Sequence, residues 1–111
     1  MKKLEALIDP FTLRQVKAAL TIDGVVALTI SEVRRAGDDQ HVERYRGTRY
    51  SVDWSPRIKV ELLVQDDHAE YLVDVIRAAA HAGRGDDGAI SIMPVQEAVR
   101  IRTGRRGHDA L

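Results

Sequence analysis

The chain has 111 residues, 44% of them apolar but only 5% aromatic, and its 17 basic and 17 acidic side chains cancel to a formal net charge of zero. That is the size of one domain with an aliphatic core, and the neutral balance argues against a general binder of nucleic acid or of a charged membrane surface. There is no cysteine, hence no disulfide or thiolate chemistry; no signal-peptide run and no stretch near the ~20 apolar residues of a membrane span are visible, so a cytoplasmic protein without direct membrane insertion is expected.

Leu4, Ala6 and Ile8 alternate with Lys3, Glu5 and Leu7, the period-2 pattern of a strand with one core face. Asp9-Pro10 ends it, and Pro10 suits the first turn of a helix. From Pro10 to Ile22, Leu13, Val16, Ala19 and Leu20 recur at helical spacing, and Gly24 stops that helix. Val25 to Val33 reads as a second strand, with Val26, Leu28 and Ile30 on one face and the half-polar set Ala27, Thr29, Ser31 and Val33 on the other. Arg34 to Arg57 has no apolar periodicity and carries six arginines against four acidic residues. A loop of that length in a small domain usually means function or disorder. Its centre, Tyr45-Arg46-Gly47-Thr48-Arg49-Tyr50, offers donors and aromatic area for docking.

Ile58 to Gln65 is the third strand, with Ile58, Val60, Leu62 and Val64 facing the core and Lys59, Glu61 and Leu63 facing away. Asp66-Asp67-His68 opens a second helix, with an Asp as N-cap, that runs to about Ala82 and ends at Gly83. Ala89 to Ile92 forms a short fourth strand, and Val99 to Arg102 a short final one that puts Arg100 and Arg102 on one face. The order β-α-β, long loop, β-α-β predicts an α+β, ferredoxin-like fold: a four-stranded antiparallel sheet with two helices on one face. The opposite face carries Ala27, Val33 and Leu63, which suggests self-association.

Chemistry has few footholds. Gly83-Arg84-Gly85-Asp86-Asp87-Gly88 matches G-x-G-x-x-G, but a helix precedes it and a strand follows, the reverse of a dinucleotide fingerprint. Its alternatives are an anion-binding nest or an ordinary turn. Arg100 and Arg102 could clamp a phosphate, or simply form a solvated face. The four histidines share no ligand spacing, and Asp38, Asp39 and His41 form no metal-site pattern. No nucleophile-base set and no buried carboxylate pair can be argued, so neither an enzyme nor a metal requirement is expected.

Several blocks together resemble the PII signal-transduction family over essentially the whole chain. They are Lys2-Lys3-Leu4-Glu5-Ala6 with Asp9-Pro10-Phe11; Tyr45-Arg46-Gly47 with Tyr50 and Val52-Asp53; Gly83 to Gly88; and Val99-Arg100-Ile101-Arg102-Thr103-Gly104 with Gly107-His108-Asp109-Ala110-Leu111. The resemblance implies a homotrimer with an adenine nucleotide in each inter-subunit cleft. It also implies one domain over 1–111, divided into a T-loop at 36–55, a B-loop at 82–89 and a C-terminal loop and tail at 95–111. Thr29, Glu61 and Leu63 would surround the base, and Gly37, Asp38, Asp86, Asp87, Gly88, Ala89, Arg100 and Arg102 the ribose and phosphates. The T-loop, with Arg44, Tyr45, Arg46, Gly47 and Arg49, would contact a regulated membrane transporter or enzyme, and Tyr50 matches a tyrosine that some members have nucleotidylated.

Departures from the family pattern refine this expectation. Where members usually have Gly-Phe-Gly-Arg-Gln, this chain has Arg35-Ala36-Gly37-Asp38-Asp39, and Ala89 replaces a lysine after the B-loop. Lost and inverted charge near the phosphates predicts a divergent sensor that binds ADP or AMP at least as well as ATP, with little response to 2-oxoglutarate. The alternatives are a bicarbonate sensor linked to inorganic-carbon metabolism and an ordinary nitrogen-status regulator responding to ATP and 2-oxoglutarate. Outside the family, a nucleotide-using enzyme, an RNA-recognition module and a purely structural trimer are the rivals. The second lacks the sheet aromatics on which RNA bases stack.

Overall fold

The computed structural model describes residues 1–25, 27–45, 48–81 and 88–111, with side chains outside 37–54. Four antiparallel strands, β1 (Lys2–Ile8), β2 (Thr29–Tyr45), β3 (Thr48–Val64) and β4 (Gly88–Pro94), form one sheet in the order β2-β3-β1-β4. Helices α1 (Leu13–Ile22) and α2 (Asp66–Ala80) connect the split halves. This is the expected ferredoxin-like arrangement.

The core follows the two periodicities. Leu4, Ala6 and Ile8 of β1 and Ile58, Val60, Leu62 and Val64 of β3 are buried against Val16 and Leu20 of α1 and Leu72 and Ile76 of α2. Ile30 keeps the core-side parity because it lies opposite Val60, yet it stays partly exposed because β2 is an edge strand.

The chain enters α1 through a single 3-10 turn, Pro10–Thr12. The Asp9 carboxylate accepts from the Phe11 N–H at 2.9 Å, which satisfies one donor that a helix start leaves unpaired. Gly24 ends α1 at φ +85°, a conformation that suits a residue without a Cβ. The N-cap of α2 is Gln65 rather than an aspartate, with Asp66 and Asp67 in the first turn, where acids favour the helix dipole. The Asp66 carboxylate hydrogen-bonds the amino group of Met1, which holds it below its usual pKa. Helix α2 ends at Ala80, before the expected Ala82, and Gly83 lies outside the described residues.

Strand pairing extends beyond the expected strand ends. Instead of stopping at Val33 and starting again at Ile58, β2 and β3 each run 17 residues and pair as far as Tyr45 opposite Thr48. The register shifts between Ala36 and His41, where a bulge interrupts the ladder. A two-stranded ribbon can satisfy its backbone by pairing without burying either face, so apolar alternation does not reveal it. The result is an arm: the chain measures 59 × 25 × 20 Å and has a radius of gyration of 16.9 Å, against about 13 Å for a compact domain of this length. At the other end of β2, pairing begins only at Thr29, not Val25.

Gly88 opens β4 at φ +104°, and a Cβ there would lie 1.8 Å from the backbone oxygen of Leu7. Gly24 has a similarly positive φ but open space around it. Gly88→Ala is therefore expected to lower stability by at least ~2 kcal/mol, and Gly24→Ala by only ~1 kcal/mol, as read from urea unfolding midpoints. The two helices are tied by the Tyr71 hydroxyl, which donates to Asp23 at 2.6 Å and whose pKa is raised above 10 by that bond and by the nearby charge. Because the folded pKa is the higher one, this contribution is complete below pH 10 and is lost as pH rises through the raised value. Asp23→Ala should move the Tyr71 phenol titration, followed by NMR, to lower pH.

Candidate functional site

Thr29 and Glu61 are cross-strand partners on the sheet face away from the helices, and Leu63 follows Glu61 on that face. All three line a cleft of about 420 Å³. Arg100 reaches the same cleft from the C-terminal segment. That segment is a tight hairpin, not the short strand expected from Val99 to Arg102. Val99 bridges Arg106, the Arg100 N–H donates to the Arg105 carbonyl at 2.9 Å, and the Gly104 N–H donates to the Arg100 carbonyl at 2.8 Å. Gly104 and Gly107 have φ of 71° and 64°, the left-handed region that makes so short a reversal accessible. Arg100 is thereby turned into the cleft, while Arg102 sits exposed in the turn and is not part of the lining.

Sequence reasoning missed Lys3, which also lines the cleft. Its signal was its parity on β1, but its neighbours depend on the register against β3. Lys3 stands opposite Leu63, Glu5 opposite Glu61, and Leu7 opposite Lys59. Two glutamates directly across from each other repel, by up to ~1 kcal/mol. The lysines on either side compensate. Lys3 Nζ lies 3.5 Å from Glu61 and 4.0 Å from Glu5; Lys59 Nζ lies 3.4 Å from Glu5 and 4.0 Å from Glu61. The glutamate side chains are 25% exposed and the lysine side chains 31–35%, so the square is partly shielded from solvent screening. Ala110 and Leu111 also line the cleft, from the 3-10 turn that follows the hairpin.

The remaining expected site residues lie elsewhere. Gly88 and Ala89 begin β4 and line a different cleft of about 760 Å³, with Leu7, Arg77 and His81. In the strand order, β4 is one edge of the sheet and β2, which carries Thr29, is the other. Gly37 and Asp38 lie on β2 near the bulge, without described side chains. In the arm, Arg44 pairs with Arg49 and Glu43 with Tyr50 along the backbone, and Tyr45 is the last β2 residue. Arg46, Gly47, Asp86, Asp87 and most of the expected B-loop fall outside the described residues. Among the described residues, no group of three or more His, Cys, Asp or Glu could hold a metal ion, and no helix is long and apolar enough to cross a membrane.

The family model described as nitrogen regulatory protein P-II matches residues 1–105. The chain belongs to the P-II family. Curated relatives named nitrogen regulatory protein P-II match along the full length of both chains, at 46% identity in Azospirillum brasilense and 47% in Microchaete diplosiphon. Among solved structures, Arabidopsis thaliana PII bound to citrate is similar with a TM-score of 0.82 and 32% identity, over 99% of this chain and 91% of that one. P-II proteins are signal-transduction regulators.

The charge square makes its own prediction. Lys59→Met should cost ~1 kcal/mol by leaving Glu5 and Glu61 undercompensated. Most of that should return in the double variant with Glu5→Gln, as measured by a double-mutant cycle of unfolding free energies.

Proposed function

We propose that this P-II protein is a homotrimeric regulator that binds an adenine nucleotide in clefts between subunits and controls a partner protein through its T-loop, residues 36–55. One observation carries the reading. Thr29, Glu61, Leu63 and Arg100, separate in sequence, line one cleft that combines acceptors, an apolar wall and a guanidinium. This is the mixture that suits a base with phosphates attached.

The oligomer follows from the other half of the site. Gly88 and Ala89, the described end of the expected B-loop, belong to the opposite sheet edge from Thr29. A head-to-tail ring would bring the β4 edge of one subunit to the β2 edge of the next, and closed rings are built from such heterologous contacts. Three subunits is the family expectation. The C-terminal loop and tail, 95–111, would then supply Arg100 to the shared cleft.

Asp38 and Ala89 put an acid and a neutral residue where a terminal phosphate would favour cations, so ADP or AMP is favoured at least equally with ATP. The names of the relatives, at 45–47% identity over the whole chain, support nitrogen metabolism as the regulated pathway, with a transporter or an enzyme as the partner. Tyr50, on the arm, is the candidate for covalent modification.

Calorimetric titration with AMP, ADP and Mg-ATP, each with and without 2-oxoglutarate or bicarbonate, tests this reading on protein whose mass in solution is measured by light scattering. The expected result is a trimer that binds ADP or AMP at least as tightly as Mg-ATP, with little help from 2-oxoglutarate. Arg100→Ala should weaken ADP binding about 10- to 100-fold through loss of a charge-assisted hydrogen bond, while leaving the melting temperature of the nucleotide-free protein unchanged. Strong cooperativity between Mg-ATP and 2-oxoglutarate would overturn the ADP preference, and no binding of any nucleotide would overturn the whole reading.

A further inference from the structure

We propose that Lys3 is a positioning residue for base selection. By holding the Glu61 carboxylate against the cleft wall, it makes the site prefer a base edge that bears an amino group over one that bears a carbonyl. This rests on the nucleotide reading above and adds the residue that sets its specificity.

The geometry singles out Lys3 from the four charges. Lys3 and Glu61 both line the cleft, and Lys3 Nζ lies 3.5 Å from Glu61 Oε2. Lys59 is closer to Glu5, at 3.4 Å, than to Glu61, at 4.0 Å, and is not part of the cleft lining. On its inner side Glu61 faces Glu5, a like charge directly across the strand pair. Without Lys3 the Glu61 carboxylate is pushed from that side, and among the described residues of the cleft lining the other cation is Arg100. The carboxylate would lose its cleft-side partner and keep only the more distant Lys59, at 4.0 Å, so its position at the wall would no longer be fixed.

Orientation matters because a carboxylate accepts hydrogen bonds and has none to donate. Held at the wall, it rewards an amino group and penalises a carbonyl, whose lone pairs would face its own. A site built around a particular donor rejects the analogue that lacks it far more strongly than an apolar pocket rejects a change of size. Adenosine and inosine diphosphates are the matched probes, since the second carries a carbonyl where the first carries an amino group.

The test is titration of the full-length protein with each diphosphate, for wild type, Lys3→Met, Lys3→Arg, Lys59→Met and Glu61→Gln. Wild type is expected to prefer ADP by about tenfold or more. Lys3→Met should cut that preference about 5- to 10-fold, mostly through weaker ADP binding, and Lys3→Arg should restore most of it. Glu61→Gln should abolish it, since an amide both donates and accepts. Lys59→Met, which disturbs the same charge square from outside the cleft, should change it by less than about twofold. Equal losses for both diphosphates in Lys3→Met, or an equal effect of Lys59→Met, would overturn the assignment and leave Lys3 a contact or folding residue. Wild type that binds neither diphosphate would overturn the nucleotide reading itself, a result distinguishable from the first.

Discussion

Strand β1 is paired along its whole length on both sides, to β3 and to β4, in registers that run without interruption from Lys2 to Ile8. Most of the molecule depends on that double ladder. One face of β1 supplies Leu4, Ala6 and Ile8, which are almost completely buried beneath the helices. The other face supplies Lys3 and Glu5, whose positions are set by the same hydrogen bonds. A one-residue slip would exchange the two faces, burying charges and exposing the core. The burial that fixes the fold therefore also fixes where Glu61 meets Glu5 and where Lys3 meets the cleft. Stability and site geometry share one register.

The arm obeys a different constraint. Beyond the sheet body, among the described residues, β2 and β3 pair with each other, and the ladder is broken by the bulge between Ala36 and His41. A ribbon of two strands with no core behind it is marginally stable at best in water. Its backbone pairing can hold an extended shape while leaving a low cost for changing that shape. For the regulator proposed above this is a suitable balance: the body keeps the cleft, and the arm would carry the surface that a partner reads. Gly37 and Asp38 stand where the two regimes meet, on β2 next to the bulge.

Elements with a buried face were legible in the sequence, because burial imposes a period. The alternation of Leu4, Ala6 and Ile8, and the helical spacing of Val16 and Leu20 and of Leu72 and Ile76, all map onto the core. The arm was not legible as strand, since a two-stranded ribbon can pair its backbone without a buried face that would leave a period behind. The run Val99-Arg100-Ile101-Arg102 misled in the opposite way. Its alternation reads as strand, but Gly104 and Gly107 at positive φ turn it into a hairpin that separates two arginines expected to work side by side. In the cleft, Thr29, Glu61 and Leu63 were visible as polar or exposed positions on a half-buried strand. Lys3 was not, because its importance comes from a register between strands more than fifty residues apart in sequence. Local pattern reports which face a residue takes; only non-local pairing reports which charge it meets there.

The distribution of recognition groups over the sheet bears on how such a protein could signal. The groups suited to a base lie at the β2–β3 side, while Gly88 and Ala89 lie at the β4 side, across the full width of the sheet. Three strand spacings separate these edges, on the order of 14 Å, and the sheet body between them is held by the doubly paired β1. A ligand that needs both sets is then better served by two neighbouring subunits than by one. Binding would stabilise the assembled state over the separated one by its differential affinity. Strand β2 also runs from the cleft to the arm, since it carries both Thr29 and, eight residues or about 26 Å further along, Gly37. The nucleotide proposed above would meet the rigid register of the sheet body, and β2 would be its connection to the arm. Under that proposal, occupancy would bias the arm only through β2, along a strand whose cleft end is fixed by its pairing to β3.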